Sequence, residues 1–268
     1  MLGLIVVANS SGAPGQAIAE SDLVGAPVLA RAIAGALPTD ESVTGVLVVD
    51  EGAVDRVRAA VIERFAFDEI DHVVTSAPTF ADAIMAGLQA LGDDVDTVIV
   101  QDGRAALVPS GLVDRVVAAA RQSEAAAPAV RLVGHIVADE GDGLVPLDIR
   151  GRLRAVQGPQ VFKRATLTAA LSNPPSTDAT GDAPQIDDGA GAVAAAGGAV
   201  SLVAGDDDNR LIVDDADLSR AVEVFARRAV DFAFVYPRDL LPDDPLKAAI
   251  EATAADDGAN GRGGAERT

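Results

Sequence analysis

The sequence predicts an α/β fold: a mostly parallel sheet with helices on both faces and a projecting β-hairpin arm. Three observations carry this. Short Val-rich runs alternate with Ala-rich segments of helical periodicity over the first 120 or so residues, the pattern of repeated βαβ units. The stretch Val98–Pro109, VIVQDGRAALVP, drives a buried strand straight into an acid, Asp102, and parallel sheets gather ligand chemistry at the carboxyl ends of their strands. Beyond residue 130 the alternation gives way to two apolar runs, Val130–Ala138 and Leu144–Ile149, separated by Asp139-Glu-Gly-Asp-Gly143, which signals a hairpin.

Taken in order, Leu2–Ala8 reads as the first strand. The loop Asn9–Gly15 follows, with Ser10, Ser11, Gly12 and Gly15 as a candidate phosphate cradle, since Gly/Ser loops after a first strand present backbone N–H groups to anions. A plain connection is the competing reading. Val28–Leu37 is helical by pattern and stopped by Pro38. Val43–Val49 is a strand, Ala53–Phe65 a helix, His72–Thr75 a strand, Phe80–Leu91 a helix and Thr97–Val100 the fourth strand. Ser110 is a suitable N-cap for a helix reaching Arg121. After the hairpin, Arg150, Arg152 and Arg154 stand at alternate positions and share one face if extended, as an anion site or a solvated edge. Ser172–Gln185 is a low-complexity loop. Ala190–Ala196 reads as a helix, Val200–Ala204 and Arg210–Val213 as strands, and Ala216–Arg228 as a closing amphipathic helix. Residues 1–236 are expected to form the domain, with the arm at about 130–154 and a polar tail over 237–268, disordered from about 252.

Composition narrows the function. A chain of 268 residues with a net charge of −20 is a poor partner for a nucleic-acid backbone or an anionic membrane, and it weakens long-range attraction of nucleotides. Lys163 and Lys247 are the two lysines, so lysine chemistry has little choice of residue. The absence of Cys excludes disulfides and thiolate chemistry and fits a reducing cytoplasm. No apolar run approaches the roughly 18 residues of a membrane span. His72 and His135 sit apart in apolar runs and read as packed or edge histidines, and Asp206–Asp208 with Asp214 and Asp215 as turn acids.

Five segments, in the right order, resemble the methylerythritol phosphate cytidylyltransferase family: Leu23–Leu29, Val100–Ala105, Ala155–Phe162, Ile186–Ala190 and the turn Asp206–Asp217. The resemblance covers about residues 1–230 and implies a Rossmann-like nucleotidyltransferase sheet with a dimerising arm, hence a homodimer. It puts Asp102 on the family's metal-proximal acid, Asp187 on the second acid and Arg150 on the substrate-binding arginine. It implies Mg²⁺ held by Asp102 and Asp187, CTP as substrate, and nucleotide or substrate contacts from Ser10, Ser11, Gly12, Gly15, Arg104, Gln160 and Arg210.

The departures concern charge. Pro14–Ile18 offers no cation where the family has its Arg and Lys. The family's further arginine falls on Phe80 and its nucleotide-contacting serine on Ala83. The central arginine falls on Ala105 beside Arg104, the motif threonine on Gly158, and the late lysine on Leu211 beside Arg210. Losing one preorganised charge contact costs about 2.7–4 kcal/mol of barrier stabilisation. The leading expectation is therefore a catalytically impaired or inactive member that acts as a binding or regulatory protein. The alternative is an active Mg²⁺-dependent enzyme joining CTP to methylerythritol phosphate, or to another polyol or sugar phosphate, with release of pyrophosphate.

Overall fold

The computed structural model describes residues 1–8, 15–75, 79–133, 137–139, 144–146, 153–173 and 188–232. Its strands are β1 (Leu2–Ala8), β2 (Asp22–Leu23), β3 (Ala26–Pro27), β4 (Val43–Val49), β5 (Ile70–Thr75), β6 (Thr97–Asp102), β7 (Ala125–Arg131), β8 (Val137–Asp139), β9 (Leu144–Pro146), β10 (Arg154–Val156), β11 (Gln160–Lys163) and β12 (Ser201–Ala204). The α-helices are α1 (Gly15–Glu20), α2 (Val28–Ala36), α3 (Val54–Val57), α4 (Phe80–Ala90), α5 (Leu112–Ala120), α6 (Arg164–Ser172), α7 (Gly189–Ala195) and α8 (Asp215–Phe232).

β1 lies inside the sheet, between β6 and β4, and every one of its residues is buried. Leu4, Val6 and Ala8 enter one apolar core while Ile5 and Val7 enter the other, as period-2 alternation requires of a strand covered on both faces. α2, α5 and α8 close the first core with Leu29, Ile33, Val116 and Phe225. α4, α6 and α7 close the second with Ile84, Leu88, Leu167 and Val193. On one side of β6 the strands run parallel in the order β6-β1-β4-β5. On its other side β11 wedges in antiparallel to both β6 and β7, and β10 and β12 complete the pairing with β7. The arm's hairpin forms as β8 paired antiparallel with β9, Ala138 opposite Val145.

Two arginines have structural roles that composition conceals. Arg31 on α2 is fully buried; it donates from Nε to the Leu23 carbonyl (2.6 Å) and from Nη2 to that of Val24 (2.6 Å), with its guanidinium 4.2 Å from the Phe225 ring centroid. It thereby holds the β2–β3 turn, where Val24 sits at φ 53°, a conformation unfavourable for a β-branched residue. Arg164 donates to the carbonyls of Leu88 (2.7 Å), Leu91 (3.2 Å), Gly92 (2.5 Å) and Val95 (3.3 Å), satisfying the C-terminal end of α4 and the turn after it.

Several expectations are corrected. Ser110 is not the cap of α5: that position is Gly111 at φ 67°, with no side-chain cap. Arg210–Val213 is not a strand; the Ile212 amide bonds the Arg104 carbonyl at 3.1 Å, and the segment runs as a loop. The helix expected over Ala53–Phe65 starts as a 3₁₀ turn, Glu51–Ala53, passes through α3 and widens to a π-helix over Arg58–Glu63. His72, by contrast, meets the edge reading: it is exposed on β5, the last strand of the sheet. Ser10, Ser11, Gly12, Arg150, Arg152, Asp187, His135, nearly all of the Ser172–Gln185 loop and the tail from 237 lie outside the described residues.

Candidate active site

Asp102 closes β6, the strand on which parallel and antiparallel halves meet, with its Cα beside Val7 of β1. The chain then turns within van der Waals reach of β1 and α2. The Gly103 amide donates to the Val7 carbonyl at 2.8 Å, and a Cβ there would stand 2.9 Å from Ala8 Cβ and 2.9 Å from Leu29 Cδ1. Only glycine fits, and this fixes the direction of Asp102. Its Oδ1 accepts from the Arg104 backbone N–H (2.8 Å) and Nε (2.9 Å), and its Oδ2 from Nη2 (2.7 Å). Asp102 and Arg104 keep 14% and 19% of their side-chain surfaces in solvent, so the pair is partly shielded. The hydrogen bond to Asp102 raises the Arg104 pKa above its ordinary value; burial opposes the shift and attraction between the charges adds to it.

Asp102 lines a cavity of about 490 Å³. Apolar Val100, Val130 and Val156 share its wall with Gln160, Asp188, Asn209 and two cationic side chains, Arg131 and Arg210. Gln160, at the start of β11, directs its amide to α7: Nε2 donates to Asp188 Oδ2 (2.8 Å) and Oε1 accepts from the Ala190 N–H (2.9 Å). Asp188 caps α7 through the Gly191 N–H at 2.6 Å. Asp188 is the neighbour of the expected second acid, Asp187, which lies outside the described residues.

The opposite wall is the loop 205–213. Gln157, which the sequence did not single out, clamps it by donating from Nε2 to the Asp206 (2.7 Å) and Asn209 (2.8 Å) carbonyls and accepting the Asp206 N–H at Oε1 (3.1 Å). Asn209 donates to the Gly158 carbonyl at 2.7 Å. From outside, Arg228 reaches Asp206 (2.5 Å) and Asp208 (3.0 Å), and Arg227 reaches Asp208 (2.6 Å). Asp206 and Asp208 are thus turn residues paired to α8, while Asp207 between them faces solvent and the cavity. Arg210 stands exposed at the loop's crest with Nε on the Asp207 carbonyl at 3.2 Å.

The departures from the family motifs have physical counterparts here. Gly158 replaces the motif threonine where Gln101 Oε1 would lie 2.6 Å from a Cβ, and Gln101 is itself fully buried, donating to the Ala105 carbonyl at 2.9 Å. Ala105 is 2% exposed, whereas Arg104 is the neighbour that reaches Asp102. Phe80 opens α4 on the cavity wall, and Ala83 belongs to the core.

An eight-stranded mixed sheet with helices on both faces and an acid at the topological switch defines an α/β nucleotidyltransferase-like protein. The fold is that of the crystal structure of 2-C-methyl-D-erythritol 4-phosphate cytidylyltransferase from Thermus thermophilus, with a TM-score of 0.64 and 24% identity over 83% of this chain and 98% of that one. The chain belongs to the 2-C-methyl-D-erythritol 4-phosphate cytidylyltransferase family, whose model matches residues 4–227. It is 32% identical over 232 residues to the enzyme of that name from Streptomyces coelicolor, covering 82% of each chain. It is 35% identical over 145 residues to the bifunctional enzyme IspD/IspF of Rhodospirillum rubrum, of which it spans 36%.

Proposed function

We propose that this chain is a cytidylyltransferase that joins CTP to methylerythritol phosphate, or to a related polyol or sugar phosphate. The observation that carries the reading is a partly buried Asp102 at the end of β6, on the wall of a 490 Å³ cavity, in a chain of this family. This favours the active alternative over the impaired protein expected from the sequence. In the reaction a phosphate oxygen of the acceptor attacks the α-phosphorus of CTP. The bond from that phosphorus to the bridging oxygen of the β-phosphate breaks, and pyrophosphate leaves with the electron pair.

Two anions must meet, so positive charge fixed beforehand lowers the barrier. Arg131 and Arg210 supply it among the described residues lining the cavity. The resemblance adds Arg150 for the acceptor phosphate and Ser10, Ser11, Gly12 and Gly15 for the triphosphate. Mg²⁺ is usually held by one or two carboxylates plus substrate phosphates. Asp102 fits that donor set as one hard oxygen ligand, with Asp187 as the second by resemblance. Among the described residues no group of three or more His, Asp or Glu is gathered to cage a metal. When bound with the triphosphate, the cation offsets phosphate charge.

The test is pyrophosphate release from CTP and methylerythritol phosphate with Mg²⁺. Asp102→Asn is expected to lower kcat by about 10²–10³-fold, the size of one preorganised electrostatic contact. Unchanged turnover in that variant would overturn the assignment.

A nucleotide-binding or regulatory protein is the second reading. It is favoured by the engagement of both Asp102 oxygens with Arg104. CTP binding in calorimetry without any pyrophosphate release would select it. Dimerisation through the hairpin arm is a further part of the proposal, and a monomer in sedimentation would remove it.

A further inference from the structure

We propose that Arg104 is a resident counter-ion of Asp102 that a divalent cation must displace, a positioning residue that holds the carboxylate ready and releases it on demand. The inference rests on the reading of Asp102 as a cation ligand.

A carboxylate offers about four lone-pair directions. Three are taken by the Arg104 backbone N–H, Nε and Nη2, at 2.8, 2.9 and 2.7 Å. A metal ion cannot take up inner-sphere ligation at full strength there with a guanidinium laid along both oxygens, because the two cations repel. The backbone of Arg104 is fixed at both ends, its N–H on Asp102 and its carbonyl holding the Ile212 amide at 3.1 Å. The exchange is therefore confined to the guanidinium, which swings while the strand end and the 205–213 loop stay in place.

The arrangement answers a problem set by this sequence. An acid only 14% exposed in a chain of net charge −20 is costly to hold ionised without a partner. A triphosphate that arrives with its cation brings both replacement partners at once. The cation takes Asp102, and the freed guanidinium meets phosphate oxygens, for which its planar fork is well matched. Total charge pairing is conserved across the exchange. Ala105, where the family's arginine falls, cannot serve, since its side chain is a buried methyl.

The experiment is Mn²⁺ titration calorimetry on the full chain without nucleotide. Arg104→Met is expected to bind Mn²⁺ about tenfold more tightly than the wild type, within the usual span of coupling between two sites. Arg104→Lys, which keeps the charge but loses the fork, is expected between them. Adding Asp102→Asn to Arg104→Met is expected to abolish the gain. Equal Mn²⁺ affinity in the wild type and Arg104→Met overturns the proposal, as does a gain that survives in the double variant. A merely structural ion pair would lower the melting temperature and leave Mn²⁺ affinity unmoved. Should Arg104→Met fail to fold, Arg104→Lys decides, and unchanged affinity in it is the overturning result. Tighter Mn²⁺ binding alongside no pyrophosphate release by the wild type keeps the counter-ion and discards the transferase; release with unmoved Mn²⁺ affinity does the reverse.

Discussion

In the parallel half of the sheet, β1, β4 and β6 fill the cores on the two faces with side chains such as Ile5 and Val46 on one and Ile99 on the other, each fully buried and without a polar atom. Around the cavity the same sheet is laced by amides and guanidinium groups: Gln157 to the 205–213 loop, Gln160 to α7, Asn209 to Gly158 and Arg104 to Asp102. The first half is specified by non-directional burial, which tolerates hydrophobic substitution if volume is kept. The second is specified by directional bonds, each with one satisfying geometry. The stable framework and the adjustable site are thus built from different forces on neighbouring strands.

The sharpest way to break that contrast is a cavity in the framework. Ile99→Ala should cost about 2–5 kcal/mol in urea unfolding, and nucleotide affinity of the folded fraction should stay unchanged. A change in affinity would mean that the two halves are not independent. Next in size, Gly158→Thr restores the motif residue but drives its Cβ to 2.6 Å from Gln101 Oε1. It should cost about 1–3 kcal/mol, the usual range for overpacking. Gln101→Ala should recover most of that loss in a double-mutant cycle, and additive effects would show that the two positions are not in contact. Smallest in stability, Gln157→Leu should cost about 1 kcal/mol in unfolding. Its signature is local: amides of the 205–213 loop should exchange faster while those of β1 do not. Equal protection in variant and wild type would show that Gln157 does not hold the loop.

The same contrast explains what the sequence disclosed. Leu2–Ala8, Val43–Val49 and the helices over Val28–Ala36 and Phe80–Ala90 are legible because apolar periodicity is written locally. Asp102 is legible for the same reason, as the acid at the end of such a run. β11 is a short strand that owes its existence to pairing with β6 and β7, and that information lies far upstream in the chain. The roles of Gln157, Arg164 and Arg31 depend on carbonyls of distant turns, which no spacing rule records. Ser110 carries the right chemistry for a cap, but the backbone reaches α5 through a left-handed Gly111, which positions the turn and not the side chain.

The pairing of Asp206 and Asp208 with Arg227 and Arg228, and of Asp102 with Arg104, has a consequence for how an anion would experience this molecule. Seen from afar the chain repels phosphates. At physiological ionic strength that repulsion fades beyond about 8 Å, and Asp102, Asp206 and Asp208 beside the cavity are already paired with arginines. Inside the last screening length Arg131 and Arg210 are the cations that meet a phosphate on the cavity wall, set against the carboxylates of Asp188 and Asp207, so a chain hostile to anions in bulk presents them with a far less hostile doorway. Salt should accordingly speed the approach of a nucleotide while loosening its final hold, and the two effects would pull its on-rate and off-rate in the same direction.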